Sequence, residues 1–121
     1  MTYDELRALA LAWPGVEDGT SYGTPALKVR GKLLARLWED GDTLVVTGVD
    51  SDERALLMET SPEIYHLTDH YRGWPTVLVR LSAVTDAVTR DQVASLLSRH
   101  WRAVAPKGLV RQLDEGRITH G

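Results

Sequence analysis

The stretch Ala26-Leu27-Lys28-Val29-Arg30-Gly31-Lys32-Leu33-Leu34-Ala35-Arg36-Leu37-Trp38-Glu39-Asp40-Gly41-Asp42-Thr43-Leu44-Val45-Val46-Thr47-Gly48-Val49 decides the fold. Apolar residues alternate with polar ones along it and two glycine-centred breaks divide it. This is the pattern of a β-meander with strands over 26–30, 33–38 and 43–49. Asp40-Gly41 predicts a type I′ hairpin turn, which needs positive φ at both central residues. A two-residue turn there pairs Trp38 with Thr43, Leu37 with Leu44 and Ala35 with Val46. Successive side chains alternate faces, so Leu33, Ala35, Leu37, Leu44 and Val46 share one face. The same parity tests the first hairpin. With Gly31-Lys32 as a two-residue turn, Lys28 falls opposite Ala35 and brings charge onto the apolar face. A three-residue connection, Arg30-Gly31-Lys32, instead pairs Val29 with Leu33 and Leu27 with Ala35, and leaves an exposed basic tip.

Helical signals surround the meander. Thr2 and Glu5 have the form of a capping box, and Leu6, Leu9, Ala10 and Trp13 follow at i, i+3, i+4, i+7 until Pro14-Gly15 stops the helix. Residues 14–25, with Gly15, Gly19, Gly23, Pro14 and Pro25, read as an ordered loop. Asp50 and Glu53 open a second helix over about 51–60 that ends at Ser61-Pro62. A short strand over 64–67, a loop over 68–75 and an alternating strand over 76–81 come next, the last with Val77, Val79 and Leu81 inward and Thr76, Leu78 and Arg80 outward. Thr89 and Gln92 cap a third helix whose apolar stripe is Val93, Leu96, Leu97, His100, Trp101 and Val104. Pro106 starts a short last helix with Leu109, Val110 and Leu113 inward. The order α-β-β-β-α-β-β-α-α predicts one α+β domain over 1–121, its last few residues frayed, with a largely antiparallel sheet and helices on one face.

Composition narrows the function classes. The chain has 121 residues, enough for one core, since a domain of this size buries somewhat under about 70% of its unfolded surface. It has no Cys, which removes disulfides and thiolate metal sites. Met1-Thr2-Tyr3-Asp4-Glu5 is acidic where a signal peptide is basic, and no apolar run reaches a membrane span, so a cytoplasmic protein is expected. The net charge of −3 weighs against an indiscriminate nucleic-acid binder, though not against a local basic patch.

Three surfaces are candidates. The outer sheet face carries Lys28, Arg36 and Arg80 with Leu34, Trp38, Val45 and Leu78. Such a face suits either a nucleic-acid backbone on a stacking platform or packing against a helix or a second copy, the commoner use. The tip Arg30-Gly31-Lys32 suits either a phosphate-contacting wing or a solubilising turn. The loop Asp69-His70-Tyr71-Arg72-Gly73-Trp74-Pro75 could hold a phosphate or carboxylate on Arg72 with Tyr71 or Trp74 stacking. Alternatively Arg72 pairs with Asp69 and Trp74 plugs the core. His66 and His70 lie on a strand and its loop, where a four-residue spacing does not converge them, so no metal is expected. His100 reads as a core histidine and His120 as part of the tail. Ser21 lacks a nucleophile elbow and the glycine spacing matches no phosphate loop. Glu17-Asp18 reads as solvated charge, as do Arg99, Arg102, Lys107 and Arg111 on outer helix faces. No catalytic set and no cofactor are expected.

Four groups in order carry a resemblance: Leu11-Ala12-Trp13-Pro14-Gly15-Val16-Glu17, Ser21-Tyr22-Gly23-Thr24-Pro25-Ala26-Leu27-Lys28-Val29-Arg30-Gly31-Lys32, Asp69-His70-Tyr71-Arg72-Gly73-Trp74-Pro75, and Trp101-Arg102-Ala103-Val104-Ala105-Pro106-Lys107. The chain resembles the MmcQ/YjbR family over nearly its whole length. The resemblance implies a fold similar to frataxin-like and secretion-chaperone-like domains, and a bacterial-type, double-wing, DNA-binding label that rests on fold. Its pattern points to Tyr22, Gly23, Pro25, Lys28, Gly31, Lys32, His70, Tyr71, Arg72, Gly73 and Pro75. The expectations are therefore a weak DNA-binding or regulatory module using Lys28, Arg30, Lys32, Arg36 and Arg72; a homodimer through the outer face; or a binder of a small anionic ligand between Tyr22 and the His70, Tyr71 and Trp74 loop.

Overall fold

In the computed structural model, which describes the backbone of residues 1–120 and the side chains of residues 1–116, six antiparallel strands form one sheet. The elements are α1 (Tyr3–Leu11), β1 (Val16–Ser21), β2 (Thr24–Val29), β3 (Lys32–Leu37), β4 (Thr43–Thr47), α2 (Ser51–Thr60), β5 (Tyr65–His66), β6 (Thr76–Arg80), α3 (Ala87–Val104) and α4 (Lys107–His120). The sheet order is β1-β2-β3-β4-β6-β5. The α+β class and the helices on one face are as the sequence predicts. The expected fraying, and His120, lie outside the described side chains. No described helix is long and apolar enough to cross a membrane.

The segment expected as a loop over 14–25 contains the edge strand β1. Only Val16 of that strand is buried, so no apolar alternation marks it. Its turn to β2 is Tyr22-Gly23, with φ of 53° and 78°. The next turn is Arg30-Gly31, with φ of 51° and 81°, a two-residue type I′ turn rather than a three-residue tip. Lys32 therefore pairs with Val29 and Lys28 with Leu33. A β-bulge then restores the expected pairing of Leu27 with Ala35. Leu34 is its extra residue. The bulge turns Leu34 into the core at 0% exposure and leaves Leu33 outward, the reverse of the expected faces.

The second hairpin has the expected register, with Leu37 opposite Leu44 and Ala35 opposite Val46. Its turn differs: only Gly41 has positive φ, and the Asp40 carboxylate closes the loop by accepting from the backbone N–H groups of Asp42 (2.9 Å) and Thr43 (2.8 Å). Burial pushes the Asp40 carboxyl up, but the Thr43 hydroxyl, which donates to it at 2.6 Å, and these backbone bonds together hold it below its ordinary value. Helix α2 begins at its predicted Asp50 cap, which accepts from the Glu53 N–H at 2.8 Å. Helix α3 begins three residues before the expected Thr89, at Asp86, because that carboxylate accepts the Thr89 N–H at 2.7 Å.

The core lies between the inner sheet face (Leu27, Val29, Leu34, Ala35, Leu44, Val46, Val77, Val79) and the buried faces of α1 and α3. Trp101 is fully buried beside Trp13, and its indole N–H donates to the Pro14 carbonyl at 3.1 Å. Leu109, Val110 and Leu113 of α4 pack against the edge of this core.

Candidate functional site

The outer face of β3, β4 and β6 is the floor of a cleft of about 510 Å³. Leu33, Arg36, Val45, Thr47 and Thr76 form the floor, and Tyr22, Glu39, His70, Tyr71 and Trp74 rise around it. The volume is in the range of small-molecule sites. No helix of this chain lines the cleft; the hairpin end at Tyr22 and the 68–75 segment cover the face in part.

Arg36 is the unusual residue. Its position in β3 points it outward, yet it is only 6% exposed. One terminal nitrogen donates to Tyr71 Oη at 2.9 Å and the other reaches Thr24 Oγ1 at a long 3.4 Å. Glu39 stands 3.6 Å away with its own side chain 62% exposed. The Tyr22 ring lies over the guanidinium, 5.3 Å from ring centre to Cζ. A guanidinium has five donors in a fixed fork that matches a carboxylate or phosphate, so donor capacity remains for an incoming pair of oxygens.

The walls are held by specific devices. Tyr22 is 87% exposed and occupies the left-handed region, which is uncommon for a side chain of this size. That conformation is what brings its ring over Arg36. Residues 69–71 form a 3-10 turn in which His70 and Tyr71 meet edge to face at 4.7 Å. Arg54 of α2 fixes the remainder of the segment, donating to the carbonyls of Trp74 (2.6 Å), Thr76 (3.2 Å) and Arg72 (3.3 Å). The segment thus gains from α2 the backbone partners that it lacks in the sheet.

The structure brings Tyr22, Arg36, His70, Tyr71 and Trp74 together and leaves the other predicted residues apart. Trp74 is 63% exposed and does not plug the core. Arg72 pairs with Asp69 at 2.7 Å on the surface and is not among the residues that line the cleft. Lys28 stands opposite Glu17, and Arg30 and Lys32 lie at the far end of the hairpin from Tyr22. Arg80 donates to the Glu63 carbonyl at 2.9 Å. Leu34 and Leu78 are buried within the single chain and furnish no contact for a second copy. Glu17 is exposed as expected, but Asp18 holds Arg7 of α1 in a two-point ion pair. Arg99 pairs with Glu53 at 2.5 Å and Arg102 with Asp114 at 2.8 Å, so these cations tie helices together. Among the described residues no group of three or more His, Cys, Asp or Glu could hold a metal ion.

Sequence reasoning missed Glu39, Thr47 and Arg54. Alternation from Val45 could have placed Thr47 outward. No local signal marks Arg54, whose three acceptors lie 18 to 22 residues away.

His100 reaches the cleft from behind. Its Nε2–H faces Thr47 Oγ1 (2.9 Å) and the Leu33 carbonyl (3.2 Å), while its Nδ1 packs on Gly48. Burial holds its pKa below the ordinary 6.5, partly offset by the Leu33 carbonyl. Burial, then the charge of Arg80, do the same at His66. Both imidazoles therefore protonate more readily in the unfolded chain. Their contribution to stability is complete above 6.5 and declines as pH falls below it. We expect the urea midpoint to drop between about pH 7.5 and about pH 5.5, and His100→Gln to flatten that slope. An unchanged midpoint over that interval would contradict imidazoles whose partial burial lowers their pKa. The capped Asp40 and Asp86 carboxylates act only below their ordinary 3.8 and do not confuse the reading.

The YjbR family description matches residues 11–103. Uncharacterized proteins of Mycobacterium tuberculosis and Mycobacterium bovis are each 35% identical over 71 residues, 59% of this chain and 52% of theirs. The chain thus spans about half the length of the curated relatives it matches. A crystal structure of a Deinococcus radiodurans protein with a DUF419 domain superposes with a TM-score of 0.69 at 22% identity, covering 88% of this chain and 80% of that one. The likeness to that structure is one of fold.

Proposed function

We propose a binding function for this chain, which belongs to the YjbR family: a non-catalytic module that takes a small ligand bearing a carboxylate or phosphate into the outer-face cleft. One observation carries the reading. A guanidinium 6% exposed lies on the floor of a cleft with unused donors, where burying a charge is costly unless it is paired. The ion pair of Arg36 with the exposed Glu39 is long, at 3.6 Å, so an anion delivered through the aromatic walls would supply the close, hydrogen-bonded counterion that the guanidinium lacks.

Thermal unfolding against a panel of carboxylated and phosphorylated metabolites tests it. A ligand at about tenfold its Kd stabilises by about 1.4 kcal/mol, or about 5 °C for a domain of this size. Tyr22→Ala and Trp74→Ala change exposed side chains, so both should fold and lose most of that shift. A flat response across the panel, or a shift undiminished in both variants, would refute the site.

A DNA-binding reading keeps one specific support. Lys28, Arg30 and Lys32 lie along a single hairpin and form no ion pair with the described residues, whereas Arg36 is buried and Arg72 forms an exposed ion pair with Asp69. Three phosphate contacts give a slope of about −3 in log affinity against log salt, and Arg30→Ala with Lys32→Ala should cut it to about −1. Fluorescence anisotropy with labelled duplex reads both. Absence of binding at low salt would end this reading. Self-association through the outer face is the weakest proposal, since of its expected contacts Leu34 and Leu78 are sealed inside.

A further inference from the structure

The charges around the cleft say more about the ligand than that it is anionic. Arg36 and Glu39 stand 3.6 Å apart, beyond hydrogen-bond length, and both line the cleft. The Glu39 carboxylate is at the rim, 62% exposed, while Arg36 is on the floor. A dianionic phosphate placed on Arg36 would therefore meet a like charge within a few ångströms, which is a repulsive arrangement. A ligand that carries a single negative charge with a cationic group next to it meets no such penalty. Its carboxylate would take the fork of Arg36, and its ammonium would turn up toward Glu39. Beyond this polar end the cleft offers Leu33 and Val45 as floor and the rings of Tyr22 and Trp74 as walls. Those surfaces suit a flat apolar body, because aromatic faces pack favourably with offset or edge-on rings.

Building on the reading of the cleft as an anion site, we propose that its ligand is a zwitterion of the α-amino-acid type with an aromatic or similarly flat apolar side chain. Arg36 holds the carboxylate, Glu39 holds the ammonium, and the Tyr22 and Trp74 rings hold the side chain. The net charge of the ligand then matches the net charge of the Arg36 and Glu39 pair, so the bound state leaves no uncompensated ion in a partly dry cleft.

The test uses L-phenylalanine, 3-phenylpropionate, which lacks the amine, and phenethylamine, which lacks the carboxylate. Binding is followed by amide chemical-shift perturbation of the isotopically labelled protein, which detects weak ligands and reports where they lie. L-phenylalanine should shift the signals of Tyr22, Arg36, Glu39 and Trp74, and each analogue should bind about tenfold more weakly. Glu39→Gln, an exposed substitution that leaves the fold intact, should bring 3-phenylpropionate to within about twofold of L-phenylalanine. Arg36→Lys keeps the charge and loses the fork, and should weaken both carboxylates together. If 3-phenylpropionate binds wild type as tightly as L-phenylalanine, the zwitterion is refuted while the anion site stands. If L-phenylalanine produces no shifts at the cleft, or shifts that map elsewhere, the proposal is overturned. The carboxylate and phosphate panel then decides separately whether the cleft is an anion site at all.

Discussion

Gly48→Ala should destabilise this protein by about 3 kcal/mol, from two separate causes. Gly48 has φ of 76°, and a residue with a Cβ placed there costs about 1–2 kcal/mol. The added methyl would also stand 2.1 Å from Nδ1 of His100 and 2.6 Å from its Cε1, so the ring must leave. With it go the hydrogen bonds that His100 makes to Thr47 and to the Leu33 carbonyl, at about 1 kcal/mol each. Urea unfolding of Gly48→Ala, His100→Ala and the double variant separates the causes. The double variant should be less destabilised than the sum of the two single ones, because with the ring absent only the backbone strain remains. A Gly48→Ala protein within about 1 kcal/mol of wild type would mean that His100 does not pack on the end of β4 as described. The effect should also reach the cleft, since Thr47 and Leu33 are at once the partners of His100 and part of the cleft floor.

The parts of this fold that were legible in the sequence are those where one local rule governs. Alternation marked the inward set Val77 and Val79, and the position of the Asp40-Gly41 break set the register of β3 on β4, which survives although the turn itself has another geometry. The Asp50 and Glu53 spacing gave α2 its correct start. The misreadings arose where side chains did something other than their usual work. Edge strand β1 buries a single residue, so Val16-Glu17-Asp18-Gly19-Thr20-Ser21 carries no period-2 signal. Asp40-Gly41 looked like the type I′ turn, yet Asp40 used its carboxylate to close a longer loop. The type I′ geometry went to Tyr22-Gly23 and Arg30-Gly31, where the first residue is a poor left-handed former. Within the site, Tyr22, His70, Tyr71 and Trp74 were visible as a dense polar and aromatic set, and Arg36 by parity. That Arg36 is buried, that Glu39 stands beside it, and that Arg54 braces the opposite wall depend on contacts between distant segments, which no local pattern encodes.

The β-bulge in β3 makes the second large prediction, and it bears on how the cleft is built. Leu34→Ala should cost about 3 kcal/mol, as a fully buried leucine truncated in a packed core does, whereas Leu33→Ala should cost under about 1 kcal/mol. A regular strand would give the opposite order, because unbroken alternation from Ala35 and Leu37 puts Leu33 inward and Leu34 out. Denaturant midpoints of the two variants therefore report the register directly. If Leu33→Ala proves the costlier change, the bulge is absent and the cleft floor as described is wrong. If the order holds, the bulge is a constructive element. Residues 33 and 36 are an odd number apart and would face opposite sides of a regular strand. The one extra residue lets both face outward, which sets the apolar surface of Leu33 beside the guanidinium of Arg36. A cleft with an anchor and an apolar floor in the same strand depends on that insertion. It follows that Leu33→Ala, nearly silent in stability, should still weaken any ligand whose apolar body rests on that floor.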